Sequence, residues 1–407
     1  MAYMYSKRLI DKTLNFIRRR TNHQTFPAFS TLSPPPLSPN HCFLLSHEPN
    51  PRSASRFEPR TSRNFADFEA IKCFAHSSAN PSASRRFAIL NAHRGRFKNN
   101  VSSLRISIVQ YLNTAPLVRG FTHGPLRGKY QLSFTVPTQC AEALRCGLAD
   151  IAIIPAIEYQ RIPNLVILPN LAVASKKSVR SLLLVSKKPI REVARIALDC
   201  TSRSTQALVR ILCARRWHIA PEFFEAEPEL PPMLDRADAA LLIGDRALRL
   251  AIASSPKAKR DASGEYLVPG SVAGLTEAPG LFLFDIVEKW RAMTSLPAVL
   301  AIWAARREAV TPEVVRDFQD SLDFGLQHLD AIVSEASAEL GFPSSDLLRY
   351  FTENIDYHLD EDNLRGLERF YLLAEQLRLI PKVDTIAVAP GARQLDFAIG
   401  KKRVAND

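Results

Sequence analysis

RSLLLVSKKP, residues 180–189, reads as a strand buried on both faces, because its apolar residues run on without the alternation of a half-exposed strand. A second stretch of the same kind, LPAVLAIWAA, follows at 296–305. The section between them has strands and helices of its own. The chain is therefore expected to cross from one lobe to another at the first stretch and to return at the second. Two crossings make a hinge, and a cleft between lobes is a favoured place for a ligand. The division that follows is lobe 1 over 104–188, lobe 2 over 189–296, a return strand with C-terminal helices packed on lobe 1 over 297–381, and a tail over 382–407 without a clear core pattern.

Outward from these stretches, short apolar strands alternate with helical segments from Leu104 onward, the pattern of an α/β architecture. Strands are expected at 105–109, 131–136, 150–154, 165–168, 181–186, 195–199, 239–243 and 298–303. TQCAEALRCG, 138–147, carries Cys140, Ala143 and Leu144 at helical spacing and ends on Gly147, which suits a helix C-terminus. After Thr311 the segments 312–340, 344–354 and 363–379 are amphipathic helices.

At 407 residues and 46% hydrophobic, the chain can bury a core of two domains. Its formal charge of +12 is unevenly placed: residues 1–100 hold 16 Lys+Arg against 5 Asp+Glu, and the remainder 37 against 36. The basic balance belongs to the N-terminal segment and gives no reason to make the folded body a nucleic-acid binder. Segment 1–103 is rich in Arg, Ser, Pro and Asn, includes SPPPLSP at 33–39 and lacks periodicity, so a disordered basic extension is expected, either transit-like or lying ahead of the true start. Six cysteines, Cys42, Cys73, Cys140, Cys146, Cys200 and Cys213, form no CxxC pair and no zinc spacing; reduced, mostly buried thiols are expected. No apolar run approaches the roughly 18 residues of a membrane span. The expectation is a cytoplasmic protein without membrane partners, monomeric or homodimeric.

Four polar clusters stand at strand ends. In YLNTAPL, 111–117, Asn113 and Thr114 follow the first strand and precede a helix opened by Pro116, where unpartnered backbone amides suit an anion. Arg180 and Ser181 begin the first crossing stretch. LDCTSRSTQALVRIL, 198–212, sets Thr201, Ser202, Arg203, Ser204 and Thr205 before a helix; four hydroxyls and an arginine exceed what capping requires and suit a carboxylate or phosphate. It is not a Walker loop, since the glycines and lysine are missing. In ALLIGDRAL, 240–248, Gly244 and Asp245 sit at another strand-to-helix junction, as helix cap or ligand contact. His218, His328 and His358 have no evident partner, and no His, Lys or Cys constellation suggests a catalytic nucleophile or base.

Taken in order, YLNTAPL, GLADIAIIPAIEY (147–159), SVRSLLLVS (178–186), LDCTSRSTQALVRIL, DAALLIGDRAL (238–248), FDIVEKWRAMTSLPAVLAIWA (284–304) and GLERFYLLAEQLRLI (366–380) resemble the chorismate dehydratases of the futalosine route to menaquinone. The resemblance covers about 104–381. It departs from the family at Pro297-Ala298-Val299-Leu300, where bulkier residues are usual, at Ser204-Thr205, usually Thr-Ser, and at Ala156, often Ser. The resemblance implies a two-lobed, type II periplasmic-binding-protein-like fold. It also implies removal of water from chorismate to give 3-[(1-carboxyvinyl)oxy]benzoate, with no metal or organic cofactor. Asn113 and Ser181 would stand nearest the chemistry; Ser202, Ser204 and Thr205 would bind a carboxylate from lobe 2; Thr114, Arg180, Gly244 and Asp245 would complete the substrate contacts. The rivals are a sister naphthoate synthase of the same pathway and a non-catalytic solute-binding protein, the latter needing export or a lipid anchor.

Overall fold

Residues 103–256, 258–260, 265–268 and 280–391 are described by a computed structural model. The expectations for 1–102, including Cys42 and Cys73, and for 392–407 lie outside these residues. The apolar run at Arg105–Val109 forms β1, followed by a 3-10 turn at Leu112–Thr114 and α1 (Ala115–Thr122). Then come β2 (Gln131–Thr135), α2 (Pro137–Arg145), β3 (Ile151–Pro155), a 3-10 turn at Ala156–Gln160 and β4 (Leu165–Ser175). Past a crossing segment the chain builds β5 (Leu182–Ser186), β6 (Arg195–Asp199), α3 (Arg203–Leu212), β7 (Glu222–Ala226), α4 (Leu230–Arg236), β8 (Ala239–Ile243), α5 (Gly244–Ser254), β9 (Lys259–Arg260), β10 (Tyr266–Val268), β11 (Leu281–Asp285) and α6 (Ile286–Thr294). It returns through β12 (Ala298–Arg306) and closes with α7 (Pro312–Gln327), α8 (Leu329–Leu340), α9 (Ser344–Arg349) and α10 (Glu361–Gln376).

Two sheets result, one per lobe: β2-β1-β3-β12-β4 and β7-β6-β8-β5-β11-β10-β9. β1, β2 and β3 are parallel, whereas β12 runs antiparallel between β3 and β4. Every residue of β3, β5 and β8 is buried, which is why these strands read as unbroken apolar runs. α1 lies so close to α7 that a Cβ at Gly325 would come within 2.0 Å of the Pro116 carbonyl oxygen, so only glycine fits there.

The first lobe boundary needs correcting. β5 pairs antiparallel with β8 and β11, so 182–186 belongs to the second sheet, and the division expected after 188 falls between Ser175 and Leu182. The apolar run marked a central strand of lobe 2 rather than the link itself; the link is the polar segment before it. Asp285 holds this link, accepting hydrogen bonds from the backbone amides of Val179 and Arg180 (3.0 and 2.7 Å) and, as cap of α6, from those of Val287 and Glu288 (3.0 Å each). Three further differences are local. The single helix expected over 312–340 breaks at His328 into α7 and α8. The tail is not without a core contact, because the backbone of Ile167 in β4 exchanges hydrogen bonds with Ala387 and Ala389, and Ala389 is buried. Of the four described cysteines, all free, Cys140 and Cys213 are buried, whereas Cys146 is exposed and Cys200 partly so.

Candidate functional site

The C-terminal ends of β1 and β3 face the start of α3 and the end of β8 across the gap between lobes, and a cavity of about 50 Å³ lies there. Its walls are mostly apolar, with Val109, Pro155, Leu182 and Leu300 among them. The polar groups are few: Tyr111, Asn113 and Thr114 from lobe 1, and Ser202 and Thr205 from lobe 2. The described lining residues carry no charged side chain.

Asn113 sits in the 3-10 turn between β1 and α1, and its Oδ1 is buried with no hydrogen-bond partner. A buried unsatisfied acceptor is unusual enough in folded proteins to need a reason. Its neighbour Thr114 behaves differently: Thr114 Oγ1 lies 2.6 Å from the Val109 carbonyl and 2.8 Å from that of Tyr111, tying its own turn together. On the opposite wall Ser202 is the residue before α3, yet its side chain does not cap the helix. Instead Ser202 Oγ donates to Thr205 Oγ1 at 2.8 Å, which leaves the amides of the first helical turn without a side-chain acceptor beside two cavity-lining hydroxyls.

The remaining expected residues have other partners. Ser204 Oγ accepts from the Ile157 amide of lobe 1 at 3.1 Å, and Asp245 Oδ1 accepts from the Leu112 amide at 3.0 Å. Both therefore join the lobes instead of lining the cavity. Burial pushes the Asp245 carboxyl up to about 6. Gly244 does line the cavity; it has φ +65°, and a Cβ there would stand 3.1 Å from the Tyr111 ring. Arg180, at φ +60°, bonds Asp346 through Nη2 at 3.2 Å while its Nη1 is buried without a partner, and it is not among the lining residues. Ser181 is fully buried and also off the lining; its Oγ accepts from the Tyr350 hydroxyl at 2.9 Å.

Several groups at the site have partners that the sequence does not announce. Tyr111 opens the motif YLNTAPL, and its hydroxyl meets Thr201 Oγ1 of lobe 2 at 3.2 Å; burial pushes its phenol up to about 12, so it stays protonated. Arg203, grouped in sequence with the anion-binding hydroxyls, reaches across the gap to Glu142 (3.0 Å) and to the fully buried Glu158 (3.1 Å). Glu158 is also paired with Arg145 and Arg161 at 2.5 and 2.7 Å. Tyr350 arrives from the C-terminal helices, a long-range contact that no local pattern announces. Among the described residues no group of three or more His, Cys, Asp or Glu is placed to hold a metal, and no helix is long and apolar enough to cross a membrane.

Comparison with known proteins gives this arrangement its context. A family model described as menaquinone biosynthesis matches residues 104–376. The chain is 29% identical over 269 residues to a chorismate dehydratase of Thermus thermophilus, covering 65% of this chain and 93% of that protein. In three dimensions it is similar to protein AF1704 of Archaeoglobus fulgidus, with a TM-score of 0.53 at 18% identity over 69% of this chain and 100% of the other. The periplasmic aliphatic sulphonate-binding protein SsuA of Escherichia coli also aligns, at 15% identity and a TM-score of 0.46 over 74% of this chain and 98% of that one. The fold is a two-lobed α/β arrangement with one mixed sheet in each lobe, and AF1704 shares it.

Proposed function

Because the chain belongs to the menaquinone-biosynthesis family, we propose that it is a chorismate dehydratase, a carbon-oxygen hydro-lyase that converts chorismate to 3-[(1-carboxyvinyl)oxy]benzoate. The observation that carries this reading is the unpaired, buried Oδ1 of Asn113 in an apolar cavity between lobes. Such a group is an acceptor kept for a substrate donor, and the chorismate ring hydroxyl is one.

The chemistry asks little of a protein in side-chain acids or bases. The hydrogen to be removed lies on the ring carbon that bears the enolpyruvyl ether, and the carbanion left behind is conjugated through the ring to its carboxylate. That electron pair then expels the neighbouring hydroxyl and completes the aromatic ring. The substrate's own side-chain carboxylate accepts the proton, and proton and hydroxide depart as water. In this scheme the protein supplies position and charge stabilisation. Asn113 accepts a hydrogen bond from the hydroxyl that leaves and so fixes the direction of departure. The hydroxyls of Ser202 and Thr205, with the first amides of α3, receive a carboxylate. The apolar walls keep bulk water from the carbanion.

Incubating the purified full chain with chorismate tests the proposal directly. Appearance of the aromatic enol ether, followed by mass spectrometry and ultraviolet absorbance, is expected. Chorismate recovered unchanged under conditions where the protein is folded would overturn the assignment.

A further inference from the structure

We propose that Tyr111 is a substrate-positioning residue and the gate of the site, a wall of the cavity that lobe 2 holds in place and that must let go before a ligand enters or leaves. This rests on the dehydratase reading above and extends it from the chemistry to the traffic of substrate and product. Tyr111 stands just before the 3-10 turn Leu112–Thr114 and lines the cavity from lobe 1. Among the described lining residues it is the one whose side chain hydrogen-bonds across the gap, its hydroxyl lying 3.2 Å from Thr201 Oγ1 of lobe 2. The other bridges between the lobes, Leu112 to Asp245, Ile157 to Ser204 and Arg203 to Glu142 and Glu158, are made by residues off the lining.

The direction of the Tyr111 bridge follows from its neighbours. Thr201 Oγ1 donates its single proton to Asp199 Oδ1 at 2.6 Å, and the Thr201 amide donates to the same oxygen at 2.9 Å. The threonine oxygen has only lone pairs left for Tyr111, so the phenol is the donor. Asp199 is buried at the end of β6, and the chain Tyr111–Thr201–Asp199 thus ties the cavity wall to the core of lobe 2. The ring is held as well. A Cβ at Gly244 would stand 3.1 Å from each of Cδ1, Cε1 and Cζ of Tyr111, and these equal distances put the Gly244 backbone against the flat of the ring. That is closer than the roughly 3.5–4.0 Å at which carbon atoms pack best. A wall that belongs to lobe 1 is therefore fixed at its tip by Thr201 and on its face by Gly244. Parting the lobes releases both holds together, so this wall is complete only when they are closed.

Tyr111→Phe keeps the ring on Gly244 and removes the bond to Thr201. The probe is 3-[(1-carboxyvinyl)oxy]benzoate, which has no ring hydroxyl left to eliminate. Ligand-observed NMR line shapes, recorded as it is titrated into the full chain, give its association and dissociation rate constants. The Tyr111–Thr201 bond holds the closed protein with or without ligand, so its loss should speed both rates by about fivefold and leave Kd within about twofold. Thr201→Val breaks the same bond from the other side, and the double variant is expected to be no faster than either single one. Tyr111→Ala removes the wall itself and should raise KM for chorismate and Kd for the probe by roughly tenfold or more. Should it fail to fold, Tyr111→Leu, which lacks the flat ring, carries the same expectation. Thermal unfolding of each preparation places all values per folded molecule; a tyrosine that serves stability alone would lower the melting temperature and leave both rates as they are. Unchanged rates in Tyr111→Phe, single effects that multiply in the double variant, or full affinity once the ring is gone each overturn the proposal. A parent that neither converts chorismate nor binds the probe removes the dehydratase reading and this inference with it; an active parent with indifferent variants removes the inference alone.

Discussion

A buried acceptor without a partner costs stability, on the order of 1–3 kcal/mol, and Asn113 carries one at the cleft. Asn113→Ala removes that acceptor, so the melting temperature should hold or rise. Turnover per folded molecule is expected to drop by about a hundred- to a thousandfold, the range for a lost contact made in the transition state; single-turnover kinetics on the same preparation checks this. Asp245 makes the complementary case, an acid whose carboxylate is spent on the Leu112 amide. Its carboxyl is raised from 3.8 to about 6 by burial, so the folded protein binds this proton more tightly than the unfolded chain does. Its contribution to stability is therefore full below pH 4 and is lost as the pH rises through about 6. Asp245→Asn keeps an oxygen for Leu112 and carries no charge to bury. It should unfold at a higher temperature than the parent at pH 7, by up to about 3 kcal/mol in stability, with the difference vanishing below pH 4. A constant difference across that range in thermal scans would mean that the carboxyl does not titrate as described.

Elements were legible in the sequence in proportion to how local their causes are. β1, β6 and β8 match the expected bounds because continuous apolar runs ended by polar residues define them. The strand expected at 165–168 is longer in the structure, where β4 runs through Pro169 and Asn170 to Ser175, with Asn170 at φ +58° and a shifted register against β12. β7 is not marked as a strand by its sequence, EFFEA, because it lies at a sheet edge, where Phe223 and Phe224 are only partly buried against the core and carry the guanidinium groups of Arg210, Arg195 and Arg236 over their rings. The start of α3 divides in the same way. Its excess of hydroxyls was visible, but Ser204 and Arg203 serve lobe 1 groups whose positions only the fold reveals, while Ser202 and Thr205 stay at the cavity. Ser202→Ala with Thr205→Ala should accordingly weaken chorismate binding by roughly tenfold or more, each hydroxyl being worth about 1 kcal/mol or somewhat more when its partner is charged. Isothermal titration measures this, and unchanged affinity would remove the carboxylate site from the start of α3.

At the scale of the molecule the lobes are closed on one another. The cavity between them, about 50 Å³, is far below the roughly 300 Å³ at which small-molecule pockets begin. Admission of a substrate therefore requires the lobes to part, which breaks the contacts of Tyr111 with Thr201, Leu112 with Asp245, Ile157 with Ser204, and Arg203 with Glu142 and Glu158. Among these, Arg203 can be removed cleanly, because Glu158 keeps Arg145 and Arg161 as partners. Arg203→Ala should raise the radius of gyration of the substrate-free protein in small-angle scattering, with little change in melting temperature; identical scattering profiles would show that this ion pair does not hold the lobes together. The two sheets also differ in how much of the chain each must wait for. All strands of the second sheet come from one continuous stretch, β5 to β11, whereas β12 lies between β3 and β4 and completes the first sheet from the far side of the second lobe. On the ribosome the second lobe can thus finish its sheet while the first still shows open strand edges at β3 and β4, which among the described strands only β12 covers. For as long as translation takes to travel from β4 to β12, the nascent chain carries a vacant slot of one strand's width, the kind of edge that recruits strands from neighbouring molecules. The cavity between the lobes, lined by Leu300 and Ala301 of β12, can form only once that strand has emerged.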